Sequence, residues 1–313
     1  MIEVEGLTKY YDERLAIQDL SFSIPRGQIV GFLGPKGAGK STTMRILTGY
    51  VRPSAGKASI SGLDILEKSM DARRRVGYLP ETTPLYNDMR VAGFLDLVCK
   101  LRGLPPSKRR ARVDHAIGTC GLGDRRSEMI GRLSRDLRQR VGLAQAIVHE
   151  PDALLLDEPT AGLDPDQTRE MQDLIKRLVR HHTVILASRL VQEVSATCER
   201  VLIIHQGRLV GEDTPDGLAE KLAGGRRHEV EMVVRADAVL IEERLRQVDG
   251  VDGVAITHVG EGVLRVVVTT ARADLREDLA RAVVDTGFGL LEMQWRAPTL
   301  DAVFLQLTAE GPA

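Results

Sequence analysis

The feature that most constrains this chain is a glycine-rich segment, Gly34 to Ser41, which has the pattern G-x-x-x-x-G-K-S. It follows a continuous apolar run, Gln28 to Leu33, of the kind found in strands buried on both faces of a sheet. The residues after it, Thr42 to Tyr50, have helical spacing. Strand, glycine loop and helix in this order predict a loop whose backbone N–H groups point at phosphate oxygens, at the positive end of a helix dipole.

The same segment predicts which side chains bind a triphosphate and its metal ion. Lys40 is expected to reach the β- and γ-phosphates, and Ser41 is expected to bind Mg²⁺. A carboxylate ligand for Mg²⁺ is expected from the end of a neighbouring strand, and Asp157 directly follows the apolar run ALLL. Glu158 beside it could polarise an attacking water as a general base.

Patterns elsewhere in the chain predict an α/β protein. The stretch from Ile2 to about Pro25 alternates apolar and polar residues, which predicts antiparallel strands. Strands then alternate with helices, which predicts a mostly parallel sheet. Residues 87–150 carry helical patterns and indicate a helical subdomain inserted into the sheet domain. This region contains a basic cluster, which is either a solvated helix face or a docking surface for an anionic partner: Lys108, Arg109, Arg110 and Arg112.

The last part of the chain predicts a second, smaller domain. It begins after a linker-like segment, Leu222 to Arg227. Strand-like and helical runs then follow in the order βαββαβ, which is typical of a ferredoxin-like α+β domain, and a short helix is expected at Leu300 to Leu307. We therefore expect a nucleotide-binding domain at residues 1–222 and an accessory domain at residues 228–313.

Composition narrows the class of partner. Lys and Arg number 43 against 44 Asp and Glu, a formal charge of -1, so no bulk electrostatic attraction favours nucleic acid as the main partner. The three cysteines, Cys99, Cys120 and Cys198, lack CxxC spacing and indicate neither a disulfide framework nor a zinc site. The longest apolar runs are too short to span a bilayer, so any membrane role is expected to run through a partner protein.

Four segments in a fixed order carry a family resemblance: GPKGAGKST, LSRDLRQR, LLLDEPTAGLDP and LASRL. Together they resemble the ATPase subunit of ATP-binding cassette transporters, over Ile2 to about Leu222. The resemblance implies a P-loop NTPase fold with an antiparallel β subdomain, and ATP and Mg²⁺ as cofactors. It implies a cytoplasmic subunit at the inner face of the membrane, paired head to tail with itself or another ATPase subunit, that drives integral-membrane subunits. The closing PTLDAVFLQLT is similar to the drug, sodium and gliding-motility exporter-like branch.

The resemblance also assigns roles to single residues. Tyr11 is expected to stack on adenine, although packing within a strand is the alternative. Glu81 takes the place of a glutamine that senses Mg²⁺ and the membrane partner, and Asp164 is expected in a loop that contacts the other subunit. The expected catalytic residues are Glu158, Lys40 and Arg189, and the expected Mg²⁺ ligands are Ser41, Asp157 and Glu81. The expected nucleotide-binding residues are Tyr11, Gly34, Pro35, Lys36, Gly37, Ala38, Gly39, Lys40, Ser41, Thr42, Glu81, Ser134, Asp136 and Asp164.

Three further charged residues depart from the family's pattern. Asp136 stands where the signature L-S-x-G has glycine, Arg189 replaces the switch histidine, and Lys36 stands where a small polar residue is usual. Two like charges about 4 Å apart repel by about 4 kcal/mol at an effective dielectric near 20, so Asp136 is expected to oppose closure on ATP. Arg189 cannot supply the acceptor of a neutral imidazole. We therefore expect weak or lost hydrolysis.

These departures leave alternatives open. They are either independent losses, or Lys36 of one subunit pairs with Asp136 of the other and offsets the repulsion. The leading functional hypothesis is an energy-coupling transporter subunit, and the alternative is a non-hydrolysing nucleotide-binding subunit with a regulatory or scaffold role. A third class, soluble ATPases that act on DNA or ribosomes, is less favoured because neither a second cassette nor a long coiled coil is present.

Overall fold

The computed structural model describes residues 1–218, 228–260, 262–270, 272, 274–296 and 304. The chain forms two units, Met1–Pro215 and Asp216–Ala313. The expected linker, Leu222 to Arg227, lies outside the described residues, as does the expected final helix at Leu300 to Leu307 except for Phe304. The division into domains at 1–222 and 228–313 stays a prediction.

The first unit alternates strands and helices. Its strands are β1 (Ile2–Tyr11), β2 (Arg14–Ile24), β3 (Ile29–Leu33), β4 (Ala55–Ile60), β5 (Leu63–Asp64), β6 (Val76–Leu79), β7 (Ala153–Asp157), β8 (Thr183–Ser188), β9 (Arg200–His205) and β10 (Arg208–Asp213). Its α-helices are α1 (Lys40–Leu47), α2 (Ser69–Arg74), α3 (Val91–Leu101), α4 (Pro106–Thr119), α5 (Arg135–Ile147), α6 (Pro165–Leu178) and α7 (Val191–Thr197).

A six-stranded sheet forms the centre of this unit, in the order β10-β9-β3-β8-β7-β6. All of its neighbouring strands are parallel except β10, which pairs antiparallel with β9 at the edge. Every residue of β3, β7 and β8 is buried, as expected for parallel strands covered on both faces. The predicted α/β class is therefore confirmed.

A second, antiparallel sheet has the order β2-β1-β4-β5, which confirms the antiparallel strands predicted from Ile2 to about Pro25. Helix α1 contacts β2 and β4 of this sheet and β7 of the central one. Met44 and Leu47 of α1 belong to the same apolar core as Phe22 of β2 and Leu155 of β7. Packing from both sheets thus fixes the helix that begins at the glycine loop.

Between β6 and β7 the chain leaves the central sheet for α3, α4 and α5 and then returns to it, which confirms the inserted helical region. The basic cluster lies on α4 and is largely paired within the chain. Arg112 forms an ion pair with Glu150, and Arg109 Nε donates to the Leu104 carbonyl oxygen at 2.7 Å. Across the described ranges, no helix combines the length and apolar character that crossing a bilayer requires.

The second unit contains β11 (His228–Arg235), α8 (Ala238–Arg246), β12 (Val251–Gly260), β13 (Val263–Thr270), α9 (Arg276–Val284) and β14 (Gly289–Arg296). Its strands form one antiparallel sheet in the order β12-β13-β11-β14. Numbered within the unit, this order is 2-3-1-4, as a βαββαβ chain of ferredoxin-like type gives. Alternate residues of β13, including Leu264, Val266 and Val268, form its core with Ile241 of α8 and Leu279 of α9.

A half-buried histidine lies where the helical region rejoins the sheet. His149 Nε2 lies 3.0 Å from the Val76 carbonyl oxygen, and among the described residues its buried Nδ1 has no hydrogen-bond partner. Burial, with a smaller contribution from the positive charge of Arg102, lowers the pKa of His149 to about 3. The folded protein therefore holds this ring neutral.

We predict that His149 makes the fold sensitive to acid. The unfolded ring has a pKa of about 6.5, so the unfolded state binds the proton first, and stability is lost as pH falls from about 6.5 toward 3. Between pH 7 and pH 5 this group should lower the free energy of unfolding by about 2 kcal/mol. Urea unfolding at both pH values should show a loss about 2 kcal/mol larger in the wild type and in His115→Gln, an exposed control on α4, than in His149→Gln. His182, whose pKa burial also lowers, contributes equally in all three proteins. Equal pH dependence in all three proteins would contradict the assignment.

Candidate functional site

Four segments that carry predicted site residues follow neighbouring parallel strands. The glycine loop follows β3, Asp157 ends β7, Arg189 follows β8, and Glu81 comes two residues after β6. The strand register places Leu33 of β3 opposite Ser188 of β8. Because the carboxyl ends of parallel strands meet at one edge of a sheet, these segments converge there, at the usual position of ligand sites in such folds.

The loop between β3 and α1 packs so closely against its neighbours that Gly34 and Gly39 have no room for a side chain. Gly39, which precedes α1, has a φ of 107°, and a Cβ there would lie 2.8 Å from the Ala16 carbonyl oxygen. A Cβ on Gly34 would lie 2.4 Å from the Ile204 carbonyl oxygen. Side chains at either position would push the loop away from its neighbours. The loop thus brings the first, unpaired N–H groups of α1 to the sheet edge, as an anion site requires.

The Lys40 side chain is buried and reaches back to the start of this loop. Its Nζ donates to the carbonyl oxygens of Gly34 at 2.5 Å and Pro35 at 3.1 Å, and lies 4.0 Å from Glu158 Oε1. Burial lowers the pKa of Lys40, and the negative charges of Glu158 and Asp157 oppose that shift. The side chain therefore holds the loop closed and brings a positive charge to where phosphates are expected.

Asp157 fits the role of a magnesium ligand. Its side chain is buried, and its Oδ1 has no hydrogen-bond partner among the described residues. Burial raises the pKa of Asp157, and a hydrogen bond with the Ser41 side chain opposes the shift. A hydroxyl and a carboxylate are oxygen ligands of the kind that Mg²⁺ takes in addition to phosphate oxygens and water. Ser41 and Asp157 thus meet at one point beside the loop.

Arg189 pairs with both glutamates of the site. Its Nε donates to Glu158 Oε1 at 2.9 Å, and its Nη2 lies 3.5 Å from Glu81 Oε1. The Glu158 side chain is only 8% exposed, whereas those of Arg189 and Glu81 are 43% and 52% exposed. Burial raises the pKa of Glu158, and the positive charges of Arg189 and Lys40 oppose that shift. The carboxylate that sequence analysis proposed as general base is therefore held between two cations.

A pocket of about 510 Å³ opens beside these groups. It brings together most of the predicted site residues, and it also takes in three residues that sequence analysis missed, Arg14, Leu15 and Ala16. Their closeness to Tyr11 in the sequence could have identified them, because Arg14 pairs with Tyr11 across the β1–β2 turn. The lining residues are Tyr11, Arg14, Leu15, Ala16, Lys36, Gly37, Ala38, Gly39, Lys40, Ser41, Thr42, Glu81, Glu158 and Arg189.

Six of the predicted residues do not line this pocket. Gly34 and Pro35 begin the glycine loop and Asp157 ends β7, whereas Ser134, Asp136 and Asp164 lie on other segments. The Ser134 hydroxyl donates to the Asp136 carboxylate at the start of α5. Asp164 caps α6, where its Oδ1 accepts from the Gln167 backbone N–H at 2.9 Å. Arg135 Nη2 donates to the Ala161 carbonyl oxygen at 2.9 Å and thereby ties the start of α5 to the loop beyond Glu158.

A buried carboxylate behind the pocket was also missed by sequence analysis. Glu193, in the first turn of α7, accepts hydrogen bonds from Thr160 Oγ1 at 2.7 Å and Ser188 Oγ at 2.5 Å. Ser188 Oγ in turn accepts the Leu190 backbone N–H at 3.0 Å. Thr160 follows Glu158 by two residues and Ser188 precedes Arg189, so Glu193 connects the two segments that carry the Glu158–Arg189 pair. Glu193 lies outside the motifs, so no sequence pattern indicated this role.

Comparisons with known proteins agree with the geometry of the site. Residues 17–161 match the family model described as "ABC transporter". A daunorubicin resistance ATP-binding protein of Streptomyces coeruleorubidus is 32% identical over 99% of this chain and 96% of its own length. The structure of CbiO1 from Clostridium perfringens, part of the ABC transporter complex CbiONQ, superposes with a TM-score of 0.65 at 29% identity, over 72% of this chain and 92% of that one.

A dimeric ATP-binding cassette bound to ADP and Pi shares the fold, with a TM-score of 0.62 at 23% identity over 68% of this chain and 98% of that one. This likeness confirms the predicted P-loop NTPase fold. Three findings agree: the match to a relative over 99% of this chain, the family model, and the convergence of the glycine loop, Asp157 and Glu158 at one sheet edge. The chain belongs to the ATP-binding subunits of ABC transporters.

Proposed function

We propose that this protein binds MgATP in the pocket beside Lys40, pairs with a second ATPase subunit, and passes the resulting motion to separate integral-membrane subunits, with weak ATP hydrolysis of its own. The pairing of Glu158 with Arg189 is the observation that supports weak hydrolysis. The proposal places the subunit on the cytoplasmic face of the membrane. A role in export is supported by a relative from Burkholderia thailandensis named as a Nod factor export ATP-binding protein, which is 35% identical over 71% of this chain and 74% of its own length.

Nucleotide binding would use the two ends of the pocket. Tyr11 is 40% exposed at one end, and Lys9 Nζ lies over one face of its ring, 5.1 Å from the centroid, so adenine would stack on the other face. At the other end the loop N–H groups and Lys40 Nζ would hold the phosphates. Ser41 and Asp157, with Glu81 on the exposed side, would hold Mg²⁺, which neutralises charge on the phosphate oxygens.

Hydrolysis needs a carboxylate that accepts a proton from the attacking water. Glu158 is the candidate, but its Oε1 already accepts from Arg189 Nε at 2.9 Å and lies 4.0 Å from Lys40 Nζ. Burial raises the pKa of Glu158, but both cations oppose that shift, so the carboxylate is a weaker base than it would be without Arg189. Arg189 remains able to bind a phosphate oxygen. MgATP binding would therefore be retained while ATP hydrolysis is impaired.

Pairing with a second subunit is the step that Asp136 would affect. Its carboxylate accepts the hydroxyl proton of Ser134, so within one chain the signature serine is turned to its own neighbour. A partner's triphosphate approaching this segment would meet a negative charge and an occupied hydroxyl. Lys36, on the exposed rim of the pocket, would meet the same segment in a head-to-tail pair and could neutralise Asp136.

The second candidate is a nucleotide-binding subunit that does not hydrolyse ATP and serves a regulatory or scaffold role. The same Glu158–Arg189 pair favours it, because binding residues are kept while the base is occupied. The two candidates differ in one quantity, the rate of phosphate release from a protein saturated with MgATP.

We predict that Arg189→His raises ATP turnover about tenfold or more, because it frees Glu158 from the guanidinium and restores an imidazole acceptor. Affinity for MgATP should change much less than turnover. Phosphate release and calorimetric titration on the same samples measure the two quantities. Arg180→His, at an exposed arginine beyond α6, is the matched control and should behave as the wild type. Wild-type turnover already ordinary for the family, and unchanged in Arg189→His, would refute the impairment.

We further predict that Lys36 and Asp136 act as a pair between subunits. Lys36→Asn alone should weaken ATP-dependent dimer formation, whereas Asp136→Gly should strengthen it, and the effect of Lys36→Asn should largely disappear when Asp136→Gly is present. Analytical ultracentrifugation with MgATP, in a Glu158→Gln background, gives the four dimer constants. Strictly additive effects would rule out the pair and leave the two residues as independent departures.

A further inference from the structure

The tight turn between β9 and β10 contacts two other segments of the first unit. It consists of two residues, Gln206 and Gly207, both in the left-handed region, with φ values of 47° and 80°. His205 and Arg208 pair on either side of it. This is the backbone pattern of a tight type I′ hairpin, in which the turn N–H groups are not consumed by the strand ladder. They are available to contact another segment.

That segment is the phosphate loop. The Gly207 N–H donates to the Ala38 carbonyl oxygen at 3.0 Å, directly before Gly39 and Lys40. The Gly207 carbonyl oxygen accepts the Gln18 backbone N–H at 2.9 Å, so the turn is anchored on β2 as well. Arg208 Nε adds a side-chain bond to Gln18 Oε1 at 3.1 Å. The turn therefore bridges β2 and the loop.

Close packing leaves no room for a side chain at this bridge. A Cβ on Gly207 would lie 2.8 Å from the Ala16 carbonyl oxygen and 3.0 Å from Ile17 Cα. These are backbone atoms of β2 that cannot rotate aside. A Cβ on Gly39 would in turn lie 3.5 Å from Gly207 Cα, so the two glycines face each other. Any added atom at Gly207 would move the turn, the loop or β2.

We infer that Gly207 is a positioning residue for the nucleotide, acting through Ala38 on the N–H groups of the loop and not by touching the ligand. This rests on the proposed binding of MgATP at that loop. A loop whose carbonyl oxygen at Ala38 is fixed presents the following N–H groups at Gly39 and Lys40 in one orientation. Without this support the loop would have to be ordered by the nucleotide itself, at a cost in affinity.

The test compares two alanine substitutions in turns of the same kind. Gly62 lies in the two-residue turn between β4 and β5, with φ values of 52° at Ser61 and 74° at Gly62, and a Cβ there meets nothing within 4 Å. Gly62→Ala carries the backbone strain without the crowding. We expect Gly207→Ala to lower the affinity for MgATP, measured by calorimetry, about tenfold or more. Gly62→Ala should stay within about twofold of the wild type.

Stability measurements separate a positioning role from a general structural one. Circular dichroism and thermal unfolding without nucleotide should show both variants folded, with Gly207→Ala losing most of the rise in unfolding temperature that MgATP gives the wild type. A folded Gly207→Ala that binds MgATP as the wild type does would overturn the inference. Absence of binding in the wild type would instead overturn the proposed function.

If Gly207→Ala does not fold, a milder variant decides the question. Arg208→Ala removes only the exposed bond to Gln18 and adds no strain. We expect it to weaken MgATP binding about two- to fivefold, because the turn is then held less firmly on β2. Lys57→Ala, at an exposed position on β4, is its control. Equal affinity in Arg208→Ala and the control would contradict the inference.

Discussion

Charge burial at the edge of the central sheet is the constraint on which the rest of this structure depends. Lys40, Asp157 and Glu158 are each less than a tenth exposed, and burying charges without compensation is costly. Lys40 offsets part of that cost by donating to two loop carbonyl oxygens and approaching Glu158. The strand ends must be held in register for these groups to compensate one another. The parallel sheet, with α1 packed between it and the antiparallel sheet, supplies that register.

Arg189 and Glu81, which stand where the family pattern has other residues, add further charges to the same edge. Arg189 turns the Lys40–Glu158 pair into a group of two cations around one buried carboxylate, with Glu81 as an exposed fourth member. Glu193 fixes the backbone on both sides of that group through Thr160 and Ser188. A firmly held carboxylate suits an electrostatic role better than proton transfer, which is the physical basis for proposing weak turnover.

Much of the fold followed from periodicity, and the limits of that approach are specific. Runs such as ALLLD and TVILAS predicted buried parallel strands, because such strands need apolar residues on both faces. The motif predicted Lys40, Ser41 and Asp157 together, since the loop and the strand ends lie at one edge. Glu193 and Gly207 could not be predicted, because each acts through a contact between distant segments and neither lies in a motif. The hydrogen bond of Ser134 with Asp136 likewise depends on side-chain geometry at a helix start.

The central claim is that the loop beside Lys40 binds a triphosphate whose metal is held by Asp157. Its most direct measurement is the affinity for ATP with and without Mg²⁺, by calorimetry, in the wild type, in Asp157→Asn and in Asp71→Asn, an exposed control on α2. The account predicts that Mg²⁺ tightens ATP binding in the wild type and the control, and that Asp157→Asn loses most of this gain. ATP affinity that ignores Mg²⁺ in the wild type, or an undiminished gain in Asp157→Asn, would contradict it.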